Sequence, residues 1–174
     1  TWWFDLHSDG SGEDAIKIPD GGLRSFTTEE SFVEHEFENG NIRNKLDLAI
    51  SGLDVFNFSV SKVPKSIKEF LLNINTSVDE LDYFVMHQAN KLMNETIRKK
   101  IKVDSEKTPY SLKMYGNTSS ASIPLTISSE LKELEGRKSS ILLSGFGVGL
   151  SWGNALIENN PIENILLSFL KEND

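Results

Sequence analysis

The sequence has 174 residues, of which 38% are hydrophobic and 25% are charged, and its formal net charge is -8. This composition excludes a disordered or fibrous chain, and the acidic balance argues against a nucleic-acid partner, whose phosphates are neutralised by clustered Lys and Arg. The sequence contains no Cys, which excludes disulfides, thiolate metal sites and a Cys nucleophile supplied by these residues.

The length is that of one domain with a sizeable core. No apolar run approaches the ~20 residues that a membrane-spanning helix needs, and residues 1–5 lack the basic start and cleavage site of a secretory signal. The sequence therefore predicts a cytoplasmic protein that does not enter a membrane.

The first predicted elements are a strand over residues 2–7 and a turn over residues 8–12, whose Ser, Asp and Gly tolerate positive φ or cap their own backbone. Residues 15–18 are predicted to return as the second strand of a hairpin, which the turn 19–22 closes. Residues 27–44 are polar and irregular and are predicted to form an exposed excursion.

A long amphipathic helix is predicted over residues 53–72, because apolar residues recur there at helical spacing: Val55, Phe56, Val60, Val63, Ile67, Phe70 and Leu71. Pro64 is expected to kink this helix or to split it. Residues 77–80 have a capping-box pattern, Ser-Val-Asp-Glu, and the compact apolar run 83–86 after them is typical of a buried strand.

The rest of the chain alternates helices with strands. Helices are predicted over residues 89–101 and about 119–134, and strands over residues 140–144 and 150–157, on either side of the glycine-rich stretch 145–149. This alternation predicts an α/β fold.

Three motifs contain candidate functional residues. His87 in His-Gln-Ala-Asn follows an apolar strand, and open α/β sheets present functional groups there, although a structural His is an equal alternative. Gly-Asn-Thr-Ser-Ser at 116–120 contains Asn117, but a turn that caps a helix is the favoured interpretation of these residues alone. Gly-Phe-Gly-Val-Gly at 145–149 fails the dinucleotide pattern G-x-G-x-x-G, because no third Gly stands at the required place.

Other enzyme classes find little support. The sequence has no G-x-S-x-G nucleophile elbow, and His7, His35 and His87 lack the spacing of a zinc site. The stretch from Asp5 imitates the start of a calcium loop, but Ile16 stands where the bidentate Glu belongs. We therefore expect no bound metal.

In this order and at these separations, the three motifs and Leu-His-Ser-Asp-Gly-Ser at 6–11 resemble the C-terminal half of β-ketoacyl-ACP synthase III, a condensing enzyme of the thiolase fold. The resemblance implies a mixed β-sheet packed with helices and a domain over residues 1–158. Residues 159–174 are then a C-terminal helical extension, with an apolar stripe at helical spacing: Ile162, Ile165, Leu166, Phe169 and Leu170.

The resemblance also implies a chemistry. In that family a Cys of the N-terminal half is acylated by an acyl-CoA, and malonyl-ACP is decarboxylated and condensed onto the acyl group. His87 and Asn117 are the corresponding His and Asn, two N–H donors for the enolate. The backbone N–H of Val148 is the candidate donor to the tetrahedral oxyanion. Acyl-CoA and malonyl-ACP are the implied substrates, and no cofactor is expected.

The resemblance further leads us to expect a Cys-bearing N-terminal half outside this sequence, no activity from this chain alone, and a homodimer at full length. Acyl carrier protein is the expected partner, although Leu92 replaces an Arg thought to help dock the carrier in the fatty-acid enzymes. Two alternatives stay open. One is a non-catalytic condensing-enzyme partner, and the other is a thiolase-fold acyltransferase that forms an ester or amide with His87 as base.

Overall fold

The computed structural model describes residues 1–37, 40–131 and 138–159. In the first part of the chain one long strand and four short ones precede a long helix: β1 (Trp2–Ser8), β2 (Ile16–Lys17), β3 (His35–Glu36), β4 (Ile42–Arg43), β5 (Ala49–Ile50) and α1 (Gly52–Asn73). In the remainder, helices and strands alternate: β6 (Tyr83–Met86), α2 (Lys91–Ile101), α3 (Leu112–Tyr115), α4 (Ser122–Glu130), β7 (Ser139–Gly147) and β8 (Ser151–Asn159).

The main sheet has the strand order β1-β8-β7-β6. Strand β8 is antiparallel to both β1 and β7, whereas β6 is parallel to β7. The sheet is therefore mixed and packed with helices, and the predicted α/β fold class is confirmed.

The predicted hairpin between the first two strands is wrong. Strand β2 pairs with β5, and the partner of β1 is β8, far away in sequence. The turn after β1 leads into a 3-10 helix, Gly10–Ala15, which has Asp9 as its N-cap and carries the chain away from β1. A turn signal alone does not specify which strand pairs with which.

Helix α1 packs with α2 on one face of the sheet. The second half of the apolar stripe predicted for α1 is buried there, with Val63 and Ile67 fully inaccessible in one core with Phe84 of β6 and Leu142 of β7. Val55, Phe56 and Val60 in the first half are partly buried. Pro64 does not split the helix, which runs unbroken through it. Each such side chain contributes about 1.5–3 kcal/mol on burial, so this layer contains the main core.

Helix α4 packs on the opposite face of the sheet. Its Ile123 and Ile127 pack around a smaller core that includes Val85 and Ile141. Strand β1 presents an exposed apolar row, in which Trp2, Phe4 and Leu6 are 61%, 62% and 78% accessible. The two faces of the sheet are therefore covered to different extents within the described residues.

Three predicted boundaries change. Helix α2 begins at Lys91 because the Asn90 side chain accepts a hydrogen bond from the backbone N–H of Met93 at 2.8 Å, as an N-cap does. The helix predicted from residue 119 begins as a 3-10 turn, Ser119–Ala121, before α4. The glycine stretch 145–149 is a turn only in part, because Gly145 and Gly147 belong to β7.

Other predictions agree with the structure or lie outside it. The capping box forms, with Glu80 accepting hydrogen bonds from the Ser77 backbone and hydroxyl. The predicted C-terminal helix and residues 132–134 lie outside the described residues, so the domain division at 158 stays a prediction. None of the helices in the described part of the chain is long and apolar enough to cross a membrane.

Candidate active site

The three predicted site residues, His87, Asn117 and Val148, line one open pocket of about 890 Å³. It lies beside the end of β6, the loop before α4 and the turn between β7 and β8. Much of its wall is apolar, with contributions from Leu6, Ile16, Leu48, Ile50, Ile123 and Phe146. Polar groups that face such a wall interact more strongly than they would in water.

His87 is positioned by its backbone. It follows β6 directly, and its N–H donates to the carbonyl of Ser144 at 2.8 Å, which continues the β6–β7 pairing by one residue. Its carbonyl accepts a hydrogen bond from Nδ2 of Asn94, a fully buried residue of α2, at 3.0 Å. The sheet and α2 together therefore fix where the imidazole leaves the chain.

The imidazole of His87 is half-buried and makes three contacts. Its Nδ1 lies 2.7 Å from the hydroxyl oxygen of Ser122, the first residue of α4. Its ring stands edge-on to Phe146, with the centroids 5.4 Å apart. Burial lowers the pKa of His87, and a hydrogen bond to the backbone of Ser119 partly opposes that shift. The side chain is therefore neutral at pH 7.

The second residue of the His-Gln-Ala-Asn motif has a structural role. Gln88 is fully buried, and its Nε2 donates to the carbonyl of Met86 at 2.9 Å. Its Oε1 accepts from the backbone N–H of Ser111 at 3.2 Å. Gln88 thereby joins the end of β6 to the segment that leads into α3 and on to Asn117.

Asn117 is exposed and is oriented by local backbone geometry. It follows Gly116, whose φ of 66° and ψ of -154° lie in a region that only Gly adopts readily. The Asn117 Oδ1 accepts from the backbone N–H of Ser119 at 2.9 Å, so the amide NH₂ points the other way. Among the described residues no acceptor bonds to that NH₂, which leaves it available to a ligand.

The turn that contains Val148 is fastened to the opening motif of the chain. Asp9 and Leu150 exchange two backbone hydrogen bonds, of 2.8 and 3.0 Å. Gly149 has a φ of 141°, and an added Cβ would come within 2.6 Å of the Ser151 nitrogen, so no side chain fits. Val148 is 63% exposed at the tip of this turn.

A second imidazole in the pocket was missed by the sequence analysis. His7 lines the same pocket, its Nε2 lies 2.8 Å from Oδ2 of Asp5, and its ring stacks on Trp152 at 5.2 Å. Asp5 also accepts from Ser66 and Asn154, at 3.2 and 3.3 Å. Side chains alternate between the two faces of a strand, so Asp5 and His7 lie on the same face of β1. Their spacing of two residues is the sequence signal that could have identified this pair.

Ser122 was also missed; it lies two residues beyond the motif at 116–120. The loop from Thr118 to Ser122 has four hydroxyl residues, and nothing in their order distinguishes the one that contacts His87. Among the described residues, no group of three or more His, Asp or Glu is close enough to hold a metal ion.

This geometry suits hydrogen-bond donation better than strong-base catalysis. A catalytic His that acts as a strong base is usually oriented by a carboxylate, as in Ser-His-Asp triads. Within the described residues, His87 contacts the Ser122 hydroxyl and no carboxylate. A neutral imidazole and an outward-facing amide next to an apolar wall are suited to stabilising a developing oxyanion.

The comparison with protein families identifies a match to a described family. Residues 71–159 match the family described as 3-Oxoacyl-[acyl-carrier-protein (ACP)] synthase III C terminal. The chain is 34% identical over 157 residues to a curated Beta-ketoacyl-[acyl-carrier-protein] synthase III from Prochlorococcus marinus, covering 89% of this chain and 44% of that protein. It is 36% identical over 158 residues to the protein of the same name from Streptococcus mutans, covering 88% and 45%.

A solved structure agrees with these sequence matches. The crystal structure of 3-oxoacyl-(acyl-carrier protein) synthase from Burkholderia xenovorans superposes with a TM-score of 0.80 at 34% identity, covering 91% of this chain and 44% of that one. The chain thus spans about half the length of the relatives it matches.

Proposed function

Because this chain belongs to the β-ketoacyl-ACP synthase III family, we propose that it supplies the decarboxylation site of a condensing enzyme. In this proposal an acyl thioester is joined to malonyl-ACP, in fatty-acid or related acyl-chain biosynthesis. His87 and Asn117 hold the thioester oxygen of the malonyl group. Val148 offers its backbone N–H to the second oxyanion.

In the first step the bond between the malonyl carboxylate carbon and the α-carbon breaks. Carbon dioxide leaves, and the electron pair stays on the substrate as an enolate whose negative charge lies largely on the thioester oxygen. An N–H of neutral His87 and the Asn117 amide NH₂ donate to that oxygen. Fixed donors of this kind stabilise a developing charge without reorganising when it forms.

In the second step the α-carbon of the enolate attacks the carbonyl of the acyl thioester. The tetrahedral oxyanion accepts a hydrogen bond from the Val148 N–H. The tetrahedral intermediate then collapses and expels the thiolate that had carried the acyl group. That thiolate is not supplied by these 174 residues, which contain no Cys. We place it on the N-terminal half of the enzyme, and this chain alone should not condense substrates.

The observation that carries the proposal is the orientation of the two donors. The Ser119 N–H holds the oxygen of the Asn117 amide, so its NH₂ is free for the pocket. Burial lowers the pKa of His87, so the ring stays neutral, and no carboxylate among the described residues makes it a strong base. Acyl carrier protein, which is part of the relatives' names, is the proposed partner.

The test is the rate of carbon dioxide release from a malonyl thioester by the intact protein. His87→Ala and Asn117→Ala should each lower that rate by roughly 10²-fold, the loss typical of deleting one oxyanion donor. Asn117→Asp is the sharper variant, because a carboxylate still accepts from the Ser119 N–H but has no N–H to donate.

Two exposed residues outside the pocket provide controls, His35 on β3 and Asn57 on α1. Their Ala variants should decarboxylate at the parent rate. If His87→Ala and Asn117→Asp also kept the parent rate, the assigned roles would be wrong.

A further inference from the structure

The second imidazole of the candidate pocket differs from His87 in having a carboxylate partner. His7 Nε2 lies 2.8 Å from Oδ2 of Asp5, whereas His87 contacts the Ser122 hydroxyl. An ionised carboxylate has no proton to donate and only accepts hydrogen bonds. The proton of the neutral His7 ring therefore lies on Nε2, and Nδ1 is left as an acceptor.

Buried groups hold Asp5 in this orientation. The same oxygen, Oδ2, accepts from the Ser66 hydroxyl at 3.2 Å and from Asn154 Nδ2 at 3.3 Å. Asn154 is 2% exposed, its Nδ2 also donates to Ser66 Oγ, and its Oδ1 accepts from the hydroxyl of the fully buried Ser144. Strands β1, β8 and β7 and helix α1 each contribute one residue to this network. The position of Asp5 is thus fixed by the core.

The ring of His7 is fixed on its face as well as at its edge. His7 pairs with Trp152 across β1 and β8, and the two rings stack with an interplanar angle of 16° and centroids 5.2 Å apart. The side chain remains 41% exposed and lines the candidate pocket. Among the described residues none hydrogen-bonds to its Nδ1, so this atom is an oriented acceptor open to a ligand.

His7 lies at the far side of the pocket from His87. The strand order β1-β8-β7-β6 places three strand spacings between the two residues, a backbone separation of ~14 Å at about 4.8 Å per spacing. Between them stand Trp152 and Phe146, which pair across β8 and β7 and line the pocket. A substrate whose thioester oxygen lies at His87 therefore meets His7 with atoms several bonds away from the reacting carbon.

We propose that His7 is a binding residue of this pocket, whose Nδ1 accepts a hydrogen bond from an N–H or O–H group of the thioester substrate. That the ligand is a thioester rests on the proposed function, whereas the oriented acceptor does not. Two parts of an acyl-CoA have such donors: the amide groups of the coenzyme A arm, and a hydroxyl on the acyl chain. A ligand with no donor there would leave Nδ1 unpaired and would bind less tightly.

Nitrogen NMR of the intact protein, labelled with ¹⁵N in its His rings, tests the acceptor directly. Above the ordinary titration range of imidazole, His7 should show a protonated Nε2 and an unprotonated Nδ1. Asp5→Ala removes the acceptor of the Nε2–H and should introduce a fraction of the second tautomer. Asp104→Ala, at an exposed site outside the pocket, should leave the His7 resonances unchanged. A parent spectrum with the proton on Nδ1 would overturn the inference, and so would an Asp5→Ala spectrum identical to the parent.

Ligand binding tests the subsite, with coenzyme A thioethers that have no transferable acyl group. Butyl-CoA and 3-hydroxybutyl-CoA differ by one hydroxyl, and calorimetric titration gives their dissociation constants for the parent and for His7→Phe. The variant keeps an aromatic ring beside Trp152 and removes the acceptor, so it should weaken the binding of a donating ligand about 10-fold, the equivalent of one lost hydrogen bond. His35→Phe, at an exposed site on β3 outside the pocket, should bind both ligands as the parent does.

The pattern of losses identifies the donor. Equal losses for both thioethers place it on the coenzyme A arm, and a loss for 3-hydroxybutyl-CoA alone places it on the acyl chain. Unchanged dissociation constants for both ligands in His7→Phe would contradict the proposal.

The parent protein provides a test that needs no variant. Titration with the bound thioether should shift the His7 Nδ1 resonance, and the absence of a shift with either ligand would refute the subsite even if His7→Phe did not fold. Failure of the proposed function alone would look different. His7 would then bind the thioethers as described, while His87→Ala left carbon dioxide release unchanged.

Discussion

The two candidate donors are held in place in opposite ways. His87 is fixed by partners on three other elements, through Ser144 of β7, Asn94 of α2 and Ser122 of α4. Asn117 is exposed and takes its orientation from its own turn, through the backbone of Gly116 and the N–H of Ser119. One donor therefore depends on tertiary packing and the other on local conformation.

This difference separates two kinds of damage. A change that loosens the core should displace His87 and lower stability together, because the same contacts do both. A change that strains the Asn117 loop should reduce activity more than stability, since little is buried there.

The largest expected effect comes from the core beneath His87. Phe84 is fully buried on β6, and Phe84→Ala should lower the free energy of unfolding by about 3–5 kcal/mol through lost contacts and a cavity. Urea denaturation followed by circular dichroism measures this. Val148→Ala, at a site 63% exposed, should change stability by less than about 0.5 kcal/mol. Equal effects on the free energy of unfolding would show that the core around Phe84 does not stabilise the fold.

The second-largest expected effect tests whether the turn around Gly116 orients Asn117. Gly116→Ala places a Cβ in backbone geometry that costs about 1–3 kcal/mol for other residues. We expect a loss of unfolding free energy in that range and a larger relative loss of decarboxylation. Gly52→Ala is the control, because Gly52 begins α1 and an added Cβ meets open space. A decarboxylation rate in Gly116→Ala equal to that of the parent would contradict the role given to the Asn117 turn.

The smallest effect is a pH dependence that only the buried donor should show. Because burial lowers the pKa of His87 below its ordinary 6.5, the unfolded chain binds the proton more readily. His87 therefore contributes stability that is full above pH 6.5 and is lost as pH falls toward its lowered pKa. Unfolding free energies from pH 7.5 down to pH 5 should fall less steeply in His87→Gln than in the parent. Asn57→Gln, at an exposed site on α1, should keep the parent slope.

Much of the secondary structure could be predicted from the sequence. Helix α1 follows from the helical spacing of Val63, Ile67 and Phe70, and β6 follows from a compact apolar run. The capping box at Ser77 is a local pattern that the structure reproduces. In each case the signal lies within a few residues of the element it specifies.

The sequence by itself determined the long elements, the α/β class and the family, because periodicity and motif order are written along the chain. The tertiary structure alone decided that β1 pairs with β8, and that Ser122, of four neighbouring hydroxyl residues, reaches His87. Strand pairing and side-chain contact depend on which distant surfaces pack together. Local composition does not encode that choice, because each of these residues would form the same turn or strand with another partner.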